Sequence, residues 1–143
     1  MLISRHKGTK QSTTVHGGVS SRAVDGNKTG NYYANSCTHT YIGLESAPHW
    51  WRVDFARRAM ISKVIITNRN DCCPDRLGNF TIRIGFADTN NVNPVCRNNV
   101  GISTGITVDF KCNDSMPGRY LYIESHSWDA LTLCEVEVYG YYF

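Results

Sequence analysis

Short runs in which β-branched and aromatic residues alternate with polar ones fill the second half of the chain, and clusters of Gly, Pro or Asn separate them. A two-residue repeat places successive side chains on opposite faces of an extended backbone, so each run reads as a half-buried β-strand. The pattern predicts strands over residues 51–55, 63–67, 80–86, 105–112, 119–125 and 133–139. Nowhere does an apolar spacing of i, i+3, i+4, i+7 persist long enough for a substantial helix, which points to an all-β sandwich or barrel. Residues 7–48 are rich in Gly, Ser, Thr and Asn and read as mostly loop, with one helical turn near 21–24. A loop region this long inside a compact domain is usually functional or tied down by ligands and bridges.

A chain of 143 residues suits one core, and neither a repeat nor a linker divides it, so a single complete domain over 1–143 is expected. With 41% hydrophobic and 19% charged residues the chain has enough apolar surface to fold, which excludes a disordered polar segment. The net charge of +3 comes from scattered basic residues, not from the concentrated stripe that nucleic acid requires. No apolar run approaches the roughly 20 residues of a membrane span, and residues 1–5 lack the sections of a signal peptide. Six cysteines without any Cys-x-x-Cys pair favour disulfides in an oxidising, secreted or lumenal setting. Sequons at Asn27, Asn79 and Asn113 agree weakly with that setting.

The densest chemistry lies in Asn68-Arg69-Asn70-Asp71-Cys72-Cys73-Pro74-Asp75-Arg76, directly after a predicted strand. Loops on a rigid scaffold are where binding residues concentrate. A bridge between Cys72 and Cys73 would close a stiff, strained ring, because adjacent Cα atoms are about 3.8 Å apart against roughly 4.4–6.8 Å for ordinary bridged pairs. Such a ring offers a flat sulfur surface beside charged donors, which suits a sugar with one apolar face and several hydroxyls. Spacing alone leaves the pairing open, since six cysteines allow about 15 combinations. Arginine reads hydroxyl and ring oxygens well through its planar fork of fixed donors. Arg69 and Arg76 could equally be surface partners of Asp71 and Asp75.

Taken together, these residues resemble the F-type lectins (fucolectins), and the resemblance runs from Gly8 to Gly140. It implies a discoidin-like (F5/8 type C-like) jelly-roll β-sandwich that binds terminal L-fucose without catalysis. The family's Arg-x-Asp-x-x-x-x-Arg/Lys motif matches Arg69, Asp71 and Arg76, with Cys72 and Cys73 as its adjacent pair. His39, in Ser36-Cys37-Thr38-His39 and ahead of Trp50 to Asp54, matches the family's binding histidine. His49 is a rival, and the segment 41–49 is a few residues longer than the family pattern, which bears on the rim of the site. Tyr32 and Tyr33 take positions whose rings wall the pocket for the fucose methyl group.

The same resemblance implies a structural Ca²⁺ ion. Its ligands would be the carboxylates of Asp25 and Glu135, the hydroxyl and carbonyl of Ser36, and carbonyls near Arg22, Asn27 and Cys134. On its own, Asp25-Gly26-Asn27 is also an ordinary turn. The implied disulfides are Cys37 with Cys134, Cys72 with Cys73 and Cys96 with Cys112. The partners implied are fucosylated glycans and glycoproteins outside the cell, with neither nucleic acid nor membrane insertion. The oligomeric state stays open, a homo-oligomer included.

Other functions compete less well. A glycosidase needs two facing carboxylates with separated pKa values, whereas Asp71 and Asp75 each have an arginine close by that keeps them ionised. A redox role for Cys72 and Cys73 lacks the spacing and βαβ setting of dithiol enzymes. The remaining rival is a discoidin-like module for membranes or proteins, since a sandwich does not fix its ligand. Membrane binders present apolar loop tips, while Trp50 and Trp51 lead into a strand and are expected to pack as core.

Overall fold

Trp51, Val53 and Phe55 alternate with Arg52 and Asp54, and Ile61, Val64 and Ile66 repeat the pattern with a slip, so this stretch has one face to bury along its whole length. In the computed structural model, which describes residues 1–43 and 48–143, it forms one long strand. The described residues form the strands β1 (Gly8–Gln11), β2 (His49–Thr67), β3 (Phe80–Gly85), β4 (Val95–Val100), β5 (Thr107–Ser125) and β6 (Glu135–Tyr142). All pairings between them are antiparallel.

Two of the strands are longer than the pattern predicts. The runs at 51–55 and 63–67 are halves of β2, and those at 105–112 and 119–125 are halves of β5. The polar stretches between them read as turns, yet their backbones stay paired, Met60 opposite Pro117 and Ala59 opposite Gly118. The break appears as a register shift between Asp54 and Ala59, where Ala56 adopts φ 65°. Such a bulge bends a strand and sharpens its twist.

The bend separates two layers. Residues 49–54 of β2 lie between β1 and the end of β5, which continues to β3 and β4. Residues 59–67 lie between β6 and the start of β5. Side chains from both layers meet in one core that includes Trp51, Phe55, Ile61, Phe80, Ile82, Leu121, Ile123, Val136 and Val138. The all-β sandwich expected from the two-residue repeat is the architecture found.

Short 3₁₀ turns at Ser20–Val24 and Tyr32–Ala34 punctuate the first half, and the four-residue β1 was not foreseen there. Trp51 is buried in the core, as the pattern suggests. Trp50 is not: it lies half-buried on the outer face of the larger layer, its ring 5.5 Å from that of Tyr122. Alternation along the strand requires this, because neighbours must face opposite ways. On the same face, Arg52 bridges to both oxygens of Asp88 at 2.9 and 3.1 Å, and the Tyr122 hydroxyl donates to Asp88 at 2.7 Å.

Candidate functional site

The end of β2 delivers its loop to the same edge of the sandwich that receives the segment 36–40. Four backbone neighbours hold that segment, one of them Val15, whose amide donates to His39 O at 3.1 Å. The Thr38 and Thr40 amides donate to the carbonyls of Leu133 and Leu131 at 2.8 and 3.2 Å, and the His39 amide donates to Gly18 O at 2.9 Å. The hydroxyls of Thr38 and Thr40 accept from the amides of Leu133 and Leu131. Gly18 has to be glycine for this approach, since a Cβ there would sit 2.5 Å from the Cβ of His39. Beneath the segment, Cys37 is bridged to Cys134, 97 residues away.

The loop after β2 is ordered by Asn68, fully buried at its root. Its amide nitrogen donates to Pro74 O at 2.8 Å and Thr104 O at 2.9 Å, while its oxygen accepts from the Arg69 amide at 2.8 Å. One side chain thus spans the loop from 68 to 74. Cys72 is bridged to Cys73, which takes a left-handed φ of 57° and opens the 3₁₀ turn Pro74–Leu77 that carries Arg76. The third bridge, Cys96 to Cys112, ties β4 to β5 away from this loop.

A depression of about 530 Å³ lies between these two segments, lined by His16, Arg22, Tyr32, Tyr33, Asn35, His39, Ile42, Arg69, Cys72 and Arg76. Arg69 is fixed by a two-pronged pair with Asp71, Nε to Oδ1 at 3.0 Å and Nη2 to Oδ2 at 2.8 Å. Asp71 Oδ1 also accepts from the Tyr32 amide at 2.8 Å, and the Arg69 guanidinium stacks 4.7 Å from the Tyr32 ring centre. The bonds from Arg69 hold the Asp71 carboxyl below its ordinary pKa. Among the described residues Nη1 of Arg69 has no hydrogen-bond partner, and Arg69 lines the pocket.

Arg76 is aimed from its other end, its Nε 3.2 Å from Oδ1 of Asp129 and its Nη1 3.2 Å from Nε2 of His39. His39 is only 4% exposed, with Nδ1 2.7 Å from Thr40 O. A carbonyl accepts and a guanidinium donates, so the partners assign the proton to Nδ1 and leave Nε2 as an acceptor. Burial, reinforced by Arg76, lowers the His39 pKa below the usual 6.5 and keeps the ring neutral, although the Thr40 carbonyl pulls the other way. The rings of Tyr32 and His16 stand edge-on to His39 at 5.6 and 5.1 Å. Tyr32 is buried, its hydroxyl donating to His16 O, whereas Tyr33 is 80% exposed on the rim.

His39, Arg69, Arg76, Cys72, Tyr32 and Tyr33 therefore share one pocket, with Asp71 behind it and Cys73 joined to Cys72. His49 is buried at the start of β2 and does not line the pocket. Of the longer segment 41–49, residues 44–47 fall outside the described residues. Arg76 takes Asp129 as its partner, 53 positions downstream, where no local sequence signal points to it. His16, Asn35 and the side chain of Arg22 were also missed as pocket residues, because polar loop positions carry no periodicity. Asn68 sat in plain view beside the motif and could have been found as a polar residue directly following a buried strand.

A second cluster lies behind the pocket. Glu135 is 1% exposed, its Oε2 accepts from the Gly26 amide at 2.9 Å, and its Oε1 is buried with no hydrogen-bond partner among the described residues. Burial pushes its pKa up to about 8. Asp25 Oδ1 accepts from the Asn27 amide at 2.9 Å, and the Ser36 hydroxyl, with one proton to donate, lies within hydrogen-bond reach of the carbonyls of Thr29 and Asn31. Among the described residues no group of three His, Cys, Asp or Glu side chains is placed to hold a metal. Any ion here would depend on hydroxyl and carbonyl oxygens besides the two carboxylates, a hard-oxygen set of the kind calcium accepts. The orphaned Oε1 fits such an ion.

Residues 22–123 match the family of NedA-like, galactose-binding domains. Over 120 residues the chain is 44% identical to Fucolectin-4 of Anguilla japonica, covering 82% of this chain and 65% of that protein. It is 42% identical to Fucolectin of Anguilla anguilla, covering 82% of this chain and 74% of that one. The f-lectin from the serum of Morone saxatilis superposes with a TM-score of 0.89 at 34% identity, over 98% of this chain and 48% of that chain. A fucose binding module of Streptococcus pneumoniae, SpX-3, superposes with a TM-score of 0.84 at 33% identity, over 99% and 98%. Fold and site together define a discoidin-like β-sandwich of the galactose-binding-domain class. Within that class the chain belongs to the fucolectin family. It spans about two thirds of Fucolectin-4 and about half of the bass lectin, so the match covers part of each of those proteins.

Proposed function

We propose that the pocket holds a terminal L-fucose of extracellular glycans and glycoproteins, and that the domain is a lectin and not an enzyme. The observation that carries this reading is the meeting of one acceptor and two fixed guanidiniums, His39 Nε2, Arg69 and Arg76, over a floor of apolar sulfur and aromatic carbon. L-Fucose presents an axial 4-hydroxyl beside its 3-hydroxyl and ring oxygen, and a methyl group at C6. A hydroxyl can donate to His39 Nε2 in place of Arg76 Nη1, which now sits 3.2 Å from that nitrogen, while its neighbours accept from Arg69 and from Arg76 so released. The methyl-bearing face can lie on the Cys72-Cys73 bridge and Tyr32. Each charge-assisted hydrogen bond is worth about 1.5–3 kcal/mol, against about 0.8 kcal/mol for burying one methyl, so the polar contacts dominate. Asp71 and Asp129 are each engaged by an arginine, which leaves neither of them poised to protonate a glycosidic oxygen.

Calcium belongs to the same reading as a structural ion. Asp25, Glu135 and Ser36, with the carbonyls of Arg22, Asn27 and Cys134, would hold it. It would supply the positive charge that lets buried Glu135 stay ionised and would pin the turn at 25–27 to β6. The three bridges suit a protein that works outside the cytosol, and among the described residues no helix is long and apolar enough to cross a membrane.

Calorimetry with L-fucose and D-galactose tests the sugar reading. Wild type should bind fucose, galactose should bind much more weakly because its substituents cannot all reach the same donors, and Arg76→Ala should weaken fucose binding about tenfold or more while the domain stays folded. Equal affinity for the two sugars, or fucose binding undiminished by Arg76→Ala, would refute it.

A further inference from the structure

The pocket is larger than one sugar ring requires: about 530 Å³ falls in the range of sites that enclose drug-sized ligands. Next in sequence to Asp129, which holds Arg76 at the pocket, is an indole that the core does not use. Trp128 is 59% exposed, and in water such a surface forgoes the stabilisation that burial would give. Its backbone is nevertheless tied to the pocket on both sides. The next residue, Asp129, holds Arg76 at 3.2 Å, and the Trp128 carbonyl accepts from the Gly43 amide at 2.8 Å, directly after the lining residue Ile42.

The loop that carries the indole is built and not slack. The Ser125 hydroxyl accepts from the Ser127 amide at 3.1 Å, the Ser127 hydroxyl from the Asp129 amide at 3.1 Å, and Asp129 Oδ1 from the Ala130 amide at 2.8 Å. A large ring fixed on an ordered loop pays little entropy when something stacks on it. We propose that Trp128 is the platform for a second saccharide, the one linked to the sugar in the pocket, and so sets which fucosylated glycans are preferred. A pyranose carries several C–H bonds on one face, which pack on an indole while its hydroxyls stay in water. The same loop that aims Arg76 at the terminal sugar would then present an apolar plane to its neighbour.

This inference rests on the fucose reading, and the test separates the two. Methyl α-L-fucoside and a trisaccharide ending in L-fucose linked to galactose are titrated by calorimetry into wild type, Trp128→Ala and Trp128→Phe. The fucoside should bind all three within twofold. The trisaccharide should bind wild type more tightly than the fucoside, lose about fivefold or more in Trp128→Ala, and recover part of that loss in Trp128→Phe. If wild type binds neither sugar, the fucose reading falls and the platform falls with it. If wild type binds the fucoside but the trisaccharide gains nothing, or Trp128→Ala weakens both ligands equally, the platform alone is overturned. Binding of wild type to phosphatidylserine vesicles that disappears in Trp128→Ala would also overturn it, by assigning the exposed ring to a membrane surface.

Discussion

Replacing Asp71 by Asn removes one negative charge and changes almost no volume, so its effects isolate the role of the carboxylate. In the native arrangement Asp71 accepts two bonds from Arg69 at 3.0 and 2.8 Å and one from the Tyr32 amide at 2.8 Å. The Arg69 side chain is 8% exposed and that of Asp71 15%, so water substitutes poorly for what is lost. An asparagine keeps one oxygen but turns an N–H₂ toward a guanidinium that only donates. One charge-assisted bond is therefore lost together with the neutralising charge, about 1.5–3 kcal/mol. At about 3 °C per kcal/mol for a domain of this size, the melting temperature should drop by roughly 5–9 °C. If Asp71 acts on sugar only by aiming Arg69, fucose affinity should fall about tenfold, and Asp71→Asn should add nothing once Arg69 is alanine. Calorimetry on the two single variants and the double variant, with melting curves, measures all of this. Full fucose affinity in Asp71→Asn, or losses that simply add in the double variant, would refute the positioning role. Acid supplies a further check. Because Arg69 depresses the folded Asp71 pKa below its usual 3.8, the stabilisation is present above that value and is lost as pH falls through the depressed one, so Asp71→Asn should lack this portion of the acid unfolding.

Two other outcomes follow from the same geometry. His39 must be neutral for Nε2 to accept, and its folded pKa lies below 6.5, so fucose affinity should stay flat from roughly pH 8 to about 6.5 and decline only at lower pH; a decline centred above 6.5 in a titration series would contradict a neutral His39 in the pocket. A chelator should lower the melting temperature and added calcium should restore it, because an ion bound only by the folded state stabilises by mass action; metal analysis finding no calcium, with an unchanged melting temperature, would remove the ion from the account.

The two-residue repeat exposed every core strand except β1 and β4, because burial of one face writes itself into alternate positions. β1 and β4 are short and lie at the edge of the larger layer, half or more exposed, so they bury too little to leave that mark. The continuity of β2 and β5 was hidden for a related reason: where a strand bends from one layer to the other, its side chains are exposed and read as a turn. In the site, Arg69, Asp71 and Arg76 were legible because one loop carries them all. Asp129, His16 and Arg22 were not, since they reach the pocket from two other parts of the chain through tertiary contacts.

The backbone of His39 pairs with residues 15 and 18, its neighbours Thr38 and Thr40 pair with residues 133 and 131, and the bridge beside it waits for Cys134. A polypeptide leaving the ribosome therefore carries the pocket's arginines long before it can assemble the pocket. Contacts that join such distant positions form late, after the entropy of closing a long loop has been met. The recognition surface thus waits for residues 131–134, and a chain ending after β5 should not bind fucose even though His39, Arg69 and Arg76 would all be present.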